Sequence, residues 1–405
     1  MARILFINQY YWPDEAATAQ LLSDLAEDLA HHGHDVTALC GRGRYSRAEK
    51  LSAGVCRNER VRVERVEGSD LGRHARAGRL MDGLSFYLAA KARLLALAKH
   101  DLVVTMTSPP WVGRLGLFFS RRHGVPLVLW LQDIYPEIAE RLGVLRNRFL
   151  RGFLHAQAAK IYSESRRIVV PGEDMKRSLA SRPETAGKIV TIPNWADLEK
   201  IRFSSVTENR FRIEQGWAGD HVLMYSGNMG PPHDTETILA LLVLLQKEIS
   251  SLRFVLVGDT PRHDKLMEQA RRMGIIRNTR LPAQPRERLG ELLGAADAHL
   301  VSQRTETEGL LVPSKFYGIV AAGRPVVFIG PPSSEVGTRV IQSELGVVVE
   351  PGHAETGIQA VRKVLFMGRE ENGSGRHIRE WAQAHAARPM RTRRFQQLLE
   401  EVLAC

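Results

Sequence analysis

The sequence predicts an α/β protein made of two Rossmann-like domains that face each other across a cleft. Three observations lead to this fold class. The chain of 405 residues is too long for one ordinary core and suits two domains of about 200 residues each. Short apolar segments alternate with longer amphipathic segments in both halves, which is the pattern of a parallel sheet wrapped by helices. The alternation is interrupted near the middle of the chain, where the two domains are expected to join.

The first half, residues 1–198, contains seven short apolar segments that predict strands. They are Arg3–Ile7, Asp35–Leu39, Val61–Val66, Asp101–Thr105, Val125–Leu131, Arg167–Pro171 and Lys188–Ile192. Between the first two, the segment Ala16–His32 places four leucines on one stripe, and Gly33 then ends the predicted helix. This half is expected to form the N-terminal domain.

The alternation restarts in residues 219–386 after a stretch without a clear period, residues 199–218, which we interpret as a linker. The predicted strands of the second domain are His221–Ser226, Leu252–Gly258, Thr279–Pro282, Asp297–Val301, Pro325–Ile329 and Leu345–Val349. Residues 387–405 contain a last basic helix, about Pro389–Leu403, that needs an apolar partner, and a return to the first domain would supply one. Open α/β sheets bind ligands outside the carboxyl ends of their strands, so two such edges predict sites for two substrates.

Composition excludes several classes of protein. The net charge of +11 comes from dispersed basic clusters without interleaved aromatic stacking platforms, which argues against nucleic-acid binding. Cys40, Cys56 and Cys405 have neither zinc-ligand nor disulfide spacing, so a reducing cytoplasm is the expected compartment. No signal-peptide pattern and no apolar run of about 20 residues is present, so no membrane-spanning segment is predicted. The inner face of the cytoplasmic membrane is an alternative place of action.

A glycine-rich loop follows the strand His221–Ser226 and precedes a helix that starts near Asp234. Gly227 and Asn228 begin this loop, and His233 ends it. Glycines let a backbone approach a ligand closely, and a helix N-terminus presents N–H groups to a phosphate. The alternative is an ordinary tight turn with an exposed histidine.

The segment from Glu306 to Lys315 also follows a strand and opens a helix, with Pro313 in its first turn. Ser314 and Lys315 would point a hydroxyl and an ammonium group at one anion, whereas the alternative is a capped surface helix with a solvated lysine. Two such helix starts in one domain favour a pyrophosphate ligand. Glu306 and Glu308 could form an acidic metal-binding pair, but without a third oxygen ligand a solvated loop is favoured.

Aromatic and acidic side chains follow two strand ends of the first domain. The first group contains Gln9, Tyr10, Asp14 and Glu15. The second contains Asp133 and Tyr135. Aromatic rings beside carboxylates are typical of sugar sites, so this edge is the candidate site for a second substrate. The alternative is that the aromatic side chains only cover the end of the sheet.

Motifs of other enzyme classes are missing. The sequence has no G-x-G-x-x-G after its first strand, no G-K-[ST] loop, no G-x-S-x-G and no H-E-x-x-H. The common dehydrogenases, nucleoside triphosphatases, α/β-hydrolases and zinc proteases are therefore excluded.

At these positions the sequence resembles glycosyltransferase family 4, in the bacterial branch that builds colanic-acid and O-antigen type polysaccharides. The similar segments are Asn8–Leu29, Leu131–Glu137, Thr191–Asp197, Tyr225–His233 and Pro313–Pro325. The resemblance implies the GT-B fold, a retaining mechanism and a nucleotide-sugar donor, UDP-linked or similar. It also implies that no metal cofactor is needed and that the acceptor is a glycan or a polyprenyl-diphosphate-linked sugar.

The resemblance assigns roles residue by residue. The donor diphosphate would be held by Gly227, Asn228, His233, Ser314 and Lys315. Glu308 resembles the first acid of the paired-glutamate signature and would lie close to the donor sugar. Asp133 matches a catalytic-cleft position, while the segment Gln9 to Glu15 would line the acceptor side. The leaving phosphate would help to deprotonate the acceptor hydroxyl in a front-face attack, with Lys315 and His233 neutralising the departing charge.

The sequence departs from the family at the second glutamate, which should reach the ribose. That position falls on Phe316 or on Gly318, depending on the direction of counting, and neither is acidic. Glu335 is the candidate replacement, and the alternative is that the donor nucleotide is held in a different way. Two alternatives stay open at this point: a nucleotide-sugar 2-epimerase on the same scaffold, and a non-catalytic nucleotide-sugar-binding subunit.

The basic and partly apolar stretch Arg73–Lys99 is a candidate for contact with an anionic membrane. An ordinary core-packing helix with a positive outer face is the alternative.

Overall fold

A computed structural model describes residues 1–43, 51–69, 76–369 and 374–404. The chain divides into two compact units. The first contains Met1–Pro193 together with Pro389–Cys405, and the second contains Asn194–Arg388. Each unit is a β-sheet of mostly parallel strands covered by helices, which confirms the predicted α/β class with two parallel-sheet domains.

The first unit has an eight-stranded sheet in the order β3-β4-β2-β1-β5-β6-β7-β8. Its strands are β1 Arg3–Ile7, β2 Asp35–Gly41, β3 Gly54–Asn58, β4 Val61–Val66, β5 Leu102–Thr105, β6 Leu127–Trp130, β7 Arg167–Val170 and β8 Ile189–Thr191. Its helices before the second unit are α1 Ala17–His31, α2 Arg76–Ala96, α3 Gly113–His123, α4 Glu137–Arg141, α5 Arg148–Glu164 and α6 Glu173–Ala180. Strands β5, β6 and the last four residues of β1 are buried throughout, because helices cover both faces of a parallel sheet.

One strand of this sheet escapes the sequence analysis. The edge strand β3 pairs antiparallel with β4, whereas the other neighbouring strands of the sheet are parallel. A tight turn at Glu59, with φ of 52°, joins the two strands. Because β3 is mostly exposed, its sequence lacks the apolar run that identifies the buried strands.

The last helix, α15 (Arg388–Ala404), packs on the first unit. The ring of Phe395 is fully buried and meets the ring of Trp130 edge-on, with centroids 4.8 Å apart. Trp130 ends strand β6, so the helix covers an apolar surface of the first sheet. The apolar partner that this basic helix needs is therefore the N-terminal sheet.

The second unit has a six-stranded parallel sheet in the order β11-β10-β9-β12-β13-β14. Its strands are β9 His221–Ser226, β10 Leu252–Val257, β11 Asn278–Leu281, β12 Ala298–Ser302, β13 Val326–Ile329 and β14 Gly346–Val349. Its helices are α7 Arg210–Glu214, α8 Thr235–Glu248, α9 Pro261–Arg272, α10 Leu289–Gly294, α11 Lys315–Ala321, α12 Glu335–Gln342, α13 Ala354–Met367 and α14 Ser374–His385. One-turn 3₁₀ helices lie at Pro183–Thr185 in the first unit and at Arg286–Arg288 and Thr305–Thr307 in the second.

Residues 199–218, interpreted above as a linker, lie inside the second unit. Trp217 is buried there, and the guanidinium of Arg212 forms a fully buried ion pair with Asp297 at 3.1 Å. The carboxylate of Asp297 also accepts from the N–H of Val222 at 2.6 Å, next to the start of β9. The segment lacks an apolar period because a few separate residues attach it to the sheet: Phe211 and Trp217 pack in a core cluster with strand residues, and Arg212 pairs with Asp297.

Helix α2 forms most of the described part of the Arg73–Lys99 stretch, and residues 73–75 lie outside the described residues. No helix within the described ranges has the length and apolar character needed to cross a bilayer.

Candidate active site

The glycine-rich loop of the second unit begins at the carboxyl end of β9, in the middle of the sheet. Gly227 has a φ of +114°, in the left-handed region that favours glycine. A Cβ atom at this position would lie 3.4 Å from Cε of Lys315, which starts α11. The loop backbone and the lysine side chain are therefore in close contact, and the structure brings these two predicted donor-site residues together.

The ammonium group of Lys315 lies over a buried tyrosine ring. Its Nζ is 3.9 Å from the ring centroid of Tyr225 and donates to the Tyr225 hydroxyl and to the carbonyl of Asn228, the latter at 3.4 Å. In the described part of the chain, Lys315 forms no ion pair with a carboxylate. Burial lowers the pKa of Lys315 to about 7. An anionic ligand beside Nζ would supply the charge that the protein does not.

His233 has a fixed hydrogen-bonding pattern. Its Nδ1 lies 2.8 Å from the carbonyl oxygen of Ser302, and a carbonyl only accepts, so Nδ1 carries the proton. Burial, with the charge of Lys315 as a second cause, lowers the pKa of His233 to about 3. The ring is therefore neutral at physiological pH, and its Nε2 is a hydrogen-bond acceptor. In this state His233 does not supply the positive charge that the sequence analysis expected of it.

His263 is a site residue that the sequence analysis missed. It is fully buried, and its Nε2 donates to the carbonyl of Gly227 at 3.0 Å. Its Nδ1 then accepts from the N–H of Thr260 at 3.1 Å. The ring holds the glycine-rich loop against the β10–α9 connection. No motif marks it, since only the fold brings residues 227 and 263 together.

The two helix starts differ in what they offer a ligand. Asp234 caps α8, and its Oδ1 accepts from the N–H groups of Glu236 and Thr237 at 3.1 and 3.0 Å. A carboxylate thus occupies these N–H groups, and the expectation that they face a phosphate does not hold. At α11, by contrast, the described structure shows no capping hydrogen bond from the side chain of Ser314.

Glu308 follows the 3₁₀ turn after β12, and its Oε1 accepts from the Ser333 hydroxyl at 2.6 Å. Glu306 is exposed and pairs with Arg304 at 3.4 Å. Glu306, one member of the candidate metal-binding pair, is thus ion-paired with Arg304. Within the described residues, no three His, Cys, Asp or Glu side chains come together as a metal-binding group.

The position of the family's second glutamate is occupied by residues that face protein. Phe316 is buried and packs edge-on against Trp381, with ring centroids 5.7 Å apart. A Cβ atom on Gly318 would lie 3.3 Å from the side chain of Leu293. Glu335 is 7% exposed, and its Oε1 accepts from Arg339 at 3.0 Å.

Asp133 follows β6 at the carboxyl edge of the first sheet, as the sequence predicts. Its side chain is partly buried, and burial raises its pKa to about 6. Burial is the single cause of this rise in pKa, so no cation within the described ranges offsets it. Such a carboxyl group changes its charge near neutral pH and is suited to exchange a proton or to accept from a hydroxyl.

The segment after β1 lies at the same edge. The backbone N–H of Gln9 donates to the backbone carbonyl of Ser108 at 2.7 Å. Gln9 and Tyr10 are both partly exposed. Asp14 is only 6% exposed, and its Oδ1 accepts from the N–H of Ala16 at 2.8 Å, where α1 begins. This contact favours a structural role for Asp14 over contact with a substrate. Glu15 remains partly exposed beside it.

Two family models together cover most of the chain. Residues 17–195 match the Glycosyl transferase 4-like domain, and residues 220–366 match Glycosyl transferases group 1. The chain belongs to the family 4 glycosyltransferases. The predicted family and the predicted enzyme class are thereby confirmed.

Named relatives of this glycosyltransferase are bacterial. A putative colanic acid biosynthesis glycosyl transferase, WcaI of Escherichia coli K12, is 23% identical over 90% of this chain and 92% of its own length. The probable glycosyltransferase WbjE of Pseudomonas aeruginosa is 28% identical over 65% of this chain, and the match spans 64% of WbjE.

Solved structures show the same fold at low sequence identity. Sucrose-phosphate synthase from Thermosynechococcus elongatus has a TM-score of 0.80 at 18% identity, and each chain is covered completely. HepE of Anabaena, solved in complex with UDP-glucose, has a TM-score of 0.73 at 15% identity over 99% of this chain and all of HepE. These similarities establish the GT-B fold of this glycosyltransferase.

Proposed function

We propose that this enzyme is a retaining glycosyltransferase that moves a sugar from a UDP-linked donor to a glycan or lipid-linked saccharide during cell-surface polysaccharide synthesis. The observation that carries the proposal is the ammonium of Lys315, which forms no ion pair with a carboxylate among the described residues and lies against Gly227 and Tyr225 at the carboxyl end of β9. The complex of HepE with UDP-glucose and the colanic-acid assignment of WcaI support the donor and the pathway class. These comparisons favour transfer over the 2-epimerase and the non-catalytic subunit.

Lys315 stabilises the leaving diphosphate in this proposal. A positive charge that has no carboxylate partner, and that burial has partly desolvated, interacts strongly with an anion. Gly227 lets the loop backbone approach the phosphates, and Ser314 and Asn228 complete the diphosphate site. Glu308 and the neutral His233 then lie on the side of the donor sugar, where Nε2 of His233 accepts a hydrogen bond from a sugar hydroxyl.

The acceptor binds the first unit in this proposal, at Asp133 and the partly exposed Gln9, Tyr10 and Glu15. The leaving phosphate takes the proton of the acceptor hydroxyl in a front-face attack, and Asp133 orients that hydroxyl. Glu335 is the proposed ribose contact, with Arg339 holding its carboxylate. The enzyme would act in the cytoplasm, at the inner face of the membrane, where lipid-linked acceptors are exposed.

A donor screen tests the proposal. Thermal shifts are measured with UDP-, GDP-, dTDP- and ADP-linked sugars and with the free nucleotides, because a ligand that binds only the folded state raises the melting temperature. We expect a shift with UDP-sugars. Transfer to a synthetic lipid-linked acceptor, followed by NMR of the product, should then show an unchanged anomeric configuration. A shift confined to another nucleotide would refute UDP, an inverted anomer would refute retention, and donor binding without any transfer would refute the transferase.

A further inference from the structure

Three neighbouring helices of the first unit form a surface with an unusual charge. Among the described side chains, helices α2, α3 and α5 carry eight Lys and Arg residues, of which Arg93 pairs with Glu64, and two acidic residues, Asp82 and Glu164. One groove of about 540 Å³ is lined by all three helices. Its cations are Lys91, Arg114, Arg121, Arg122 and Lys160. Glu164 pairs with Arg121 at its rim, which leaves the groove strongly positive.

Large apolar side chains are exposed on the two helices that flank this groove. On α2, the exposed side chains are Leu80, Met81, Leu84, Leu88 and Leu95, each between 46% and 59% accessible. Leu80, Leu84 and Leu88 are spaced by four residues and therefore form one stripe. Phe86, Ala90 and Leu94 already pack the inner side of the helix. The exposed stripe is thus an additional apolar face that the core does not use.

The first turns of α5 extend this apolar surface. Phe149 is 79% exposed, and Leu150 and Phe153 are about half exposed at 48% and 53%. Asn147 caps the helix by accepting from the N–H groups of Phe149 and Leu150, so the side chains are displayed from an ordered helix start. The guanidinium of Arg148 lies 5.3 Å from the ring centroid of Phe149.

We propose that the α2/α3/α5 surface docks onto an anionic lipid bilayer. Leu84, Leu88, Phe149 and Phe153 enter the acyl boundary, and the groove cations bind lipid phosphates. Apolar side chains beside Lys and Arg are the pattern of an interfacial membrane contact. This surface specifies how the enzyme would contact the membrane named under the proposed function. It rests on that function only for its purpose, because membrane binding would bring a lipid-linked acceptor within reach of the enzyme.

Charge and polarity favour this occupant over two others. A symmetric contact with a second copy would place the same positive groove against itself, which like-charge repulsion opposes. A nucleic acid would match the cations, but its backbone offers no apolar medium for the leucines of α2. A bilayer with anionic headgroups supplies both the phosphates and the apolar layer.

Vesicle co-sedimentation tests this surface with the full-length chain. The vesicles contain either phosphatidylcholine alone or phosphatidylcholine with phosphatidylglycerol. We expect partition into the anionic vesicles and at least about tenfold weaker partition for F149S/F153S, because each buried phenylalanine contributes strongly to insertion. R122E/K160E, which changes two groove cations, should weaken binding by more than about tenfold, at about fivefold or more per charge. The control is I213S/I276S, which changes two exposed isoleucines of the second unit.

The outcomes separate this surface from the rest of the proposal. Melting temperatures verify the folding of each variant, and transfer to a water-soluble acceptor should be unchanged in F149S/F153S. Equal vesicle binding by wild type and F149S/F153S would overturn the proposal, as would a wild-type chain that ignores anionic vesicles. Wild-type self-association abolished by F149S/F153S, or binding of single-stranded DNA in preference to vesicles, would also overturn it. Vesicle binding by a chain without transferase activity would instead leave the surface valid and refute the proposed function.

Discussion

Replacing Lys315 by alanine removes the one charge that carries the proposed donor site. A unit charge acting on a phosphate oxygen at about 4 Å is worth about 4 kcal/mol at an effective dielectric constant near 20. Lys315 is only partly buried, so solvent screens part of this energy. The loss of one oxyanion-stabilising group typically costs about a hundredfold in turnover. We therefore expect Lys315→Ala to reduce kcat by about a hundredfold, with little change in melting temperature.

The lowered pKa of Lys315 gives this prediction a second signature. The ammonium form is present below the pKa of about 7 and is lost as the pH rises above it. The kcat/KM of the wild type should therefore fall on the alkaline side of pH 7, tenfold for each further pH unit. Lys315→Arg retains the charge throughout this range, so the alkaline limb should disappear in that variant even where the rate is reduced.

Steady-state assays of nucleotide release from pH 5.5 to 9.5 measure both effects. Lys363→Ala is the matched control, because Lys363 is an exposed lysine on α13 of the same unit. An alanine variant with nearly wild-type turnover would refute the assignment of Lys315. An alkaline limb that persists unchanged in Lys315→Arg would refute the titration of this side chain as its cause.

Three further predictions concern both units. Asp133 is ionised above its raised pKa of about 6 and protonated below it, so kcat/KM should fall on the acid side of pH 6, and Asp133→Asn should lack this limb in the same pH profiles. Gly318→Glu should not restore a ribose contact but should press on Leu293 and lower the melting temperature, by a cost of about 1–3 kcal/mol in denaturant unfolding. Asp297→Ala leaves the buried Arg212 without its partner and should cost about 3–5 kcal/mol in the same unfolding measurement; an unchanged midpoint would contradict it.

The fold was predictable where the sequence repeats a simple physical pattern. Buried parallel strands are apolar on both faces, so segments such as Arg3–Ile7 and His221–Ser226 can be recognised as strands from the sequence. The edge strand β3 is mostly exposed, so its sequence lacks this signal. The segment around Arg212 was missed for a different reason, since a buried ion pair between residues 85 positions apart leaves no periodic trace.

The sequence predicted which residues belong to the candidate site better than it predicted their protonation and hydrogen bonds. The glycine-rich loop and Lys315 follow from their places after strands of an open sheet. The proton on Nδ1 of His233 depends on the carbonyl of Ser302, which is distant in sequence, and the capping of α8 by Asp234 depends on a local rotamer. His263 carries no motif at all, although it fixes the carbonyl of Gly227. Protonation states and hydrogen bonds that depend on tertiary contacts could therefore not be predicted from the sequence.

The start of α11 departs from the two-glutamate pattern that the family resemblance implies. A glutamate at position 316 would replace a buried ring, and one at position 318 would meet Leu293, so the start of α11 cannot simply regain the missing acid. Glu335 starts α12, and its Oε1 accepts from Arg339 at 3.0 Å. Ser333, two residues before Glu335, donates its hydroxyl to Glu308, so the segment 333–339 contacts both glutamates. In the proposed site, a segment that contacts both acids would couple recognition of the ribose to recognition of the donor sugar.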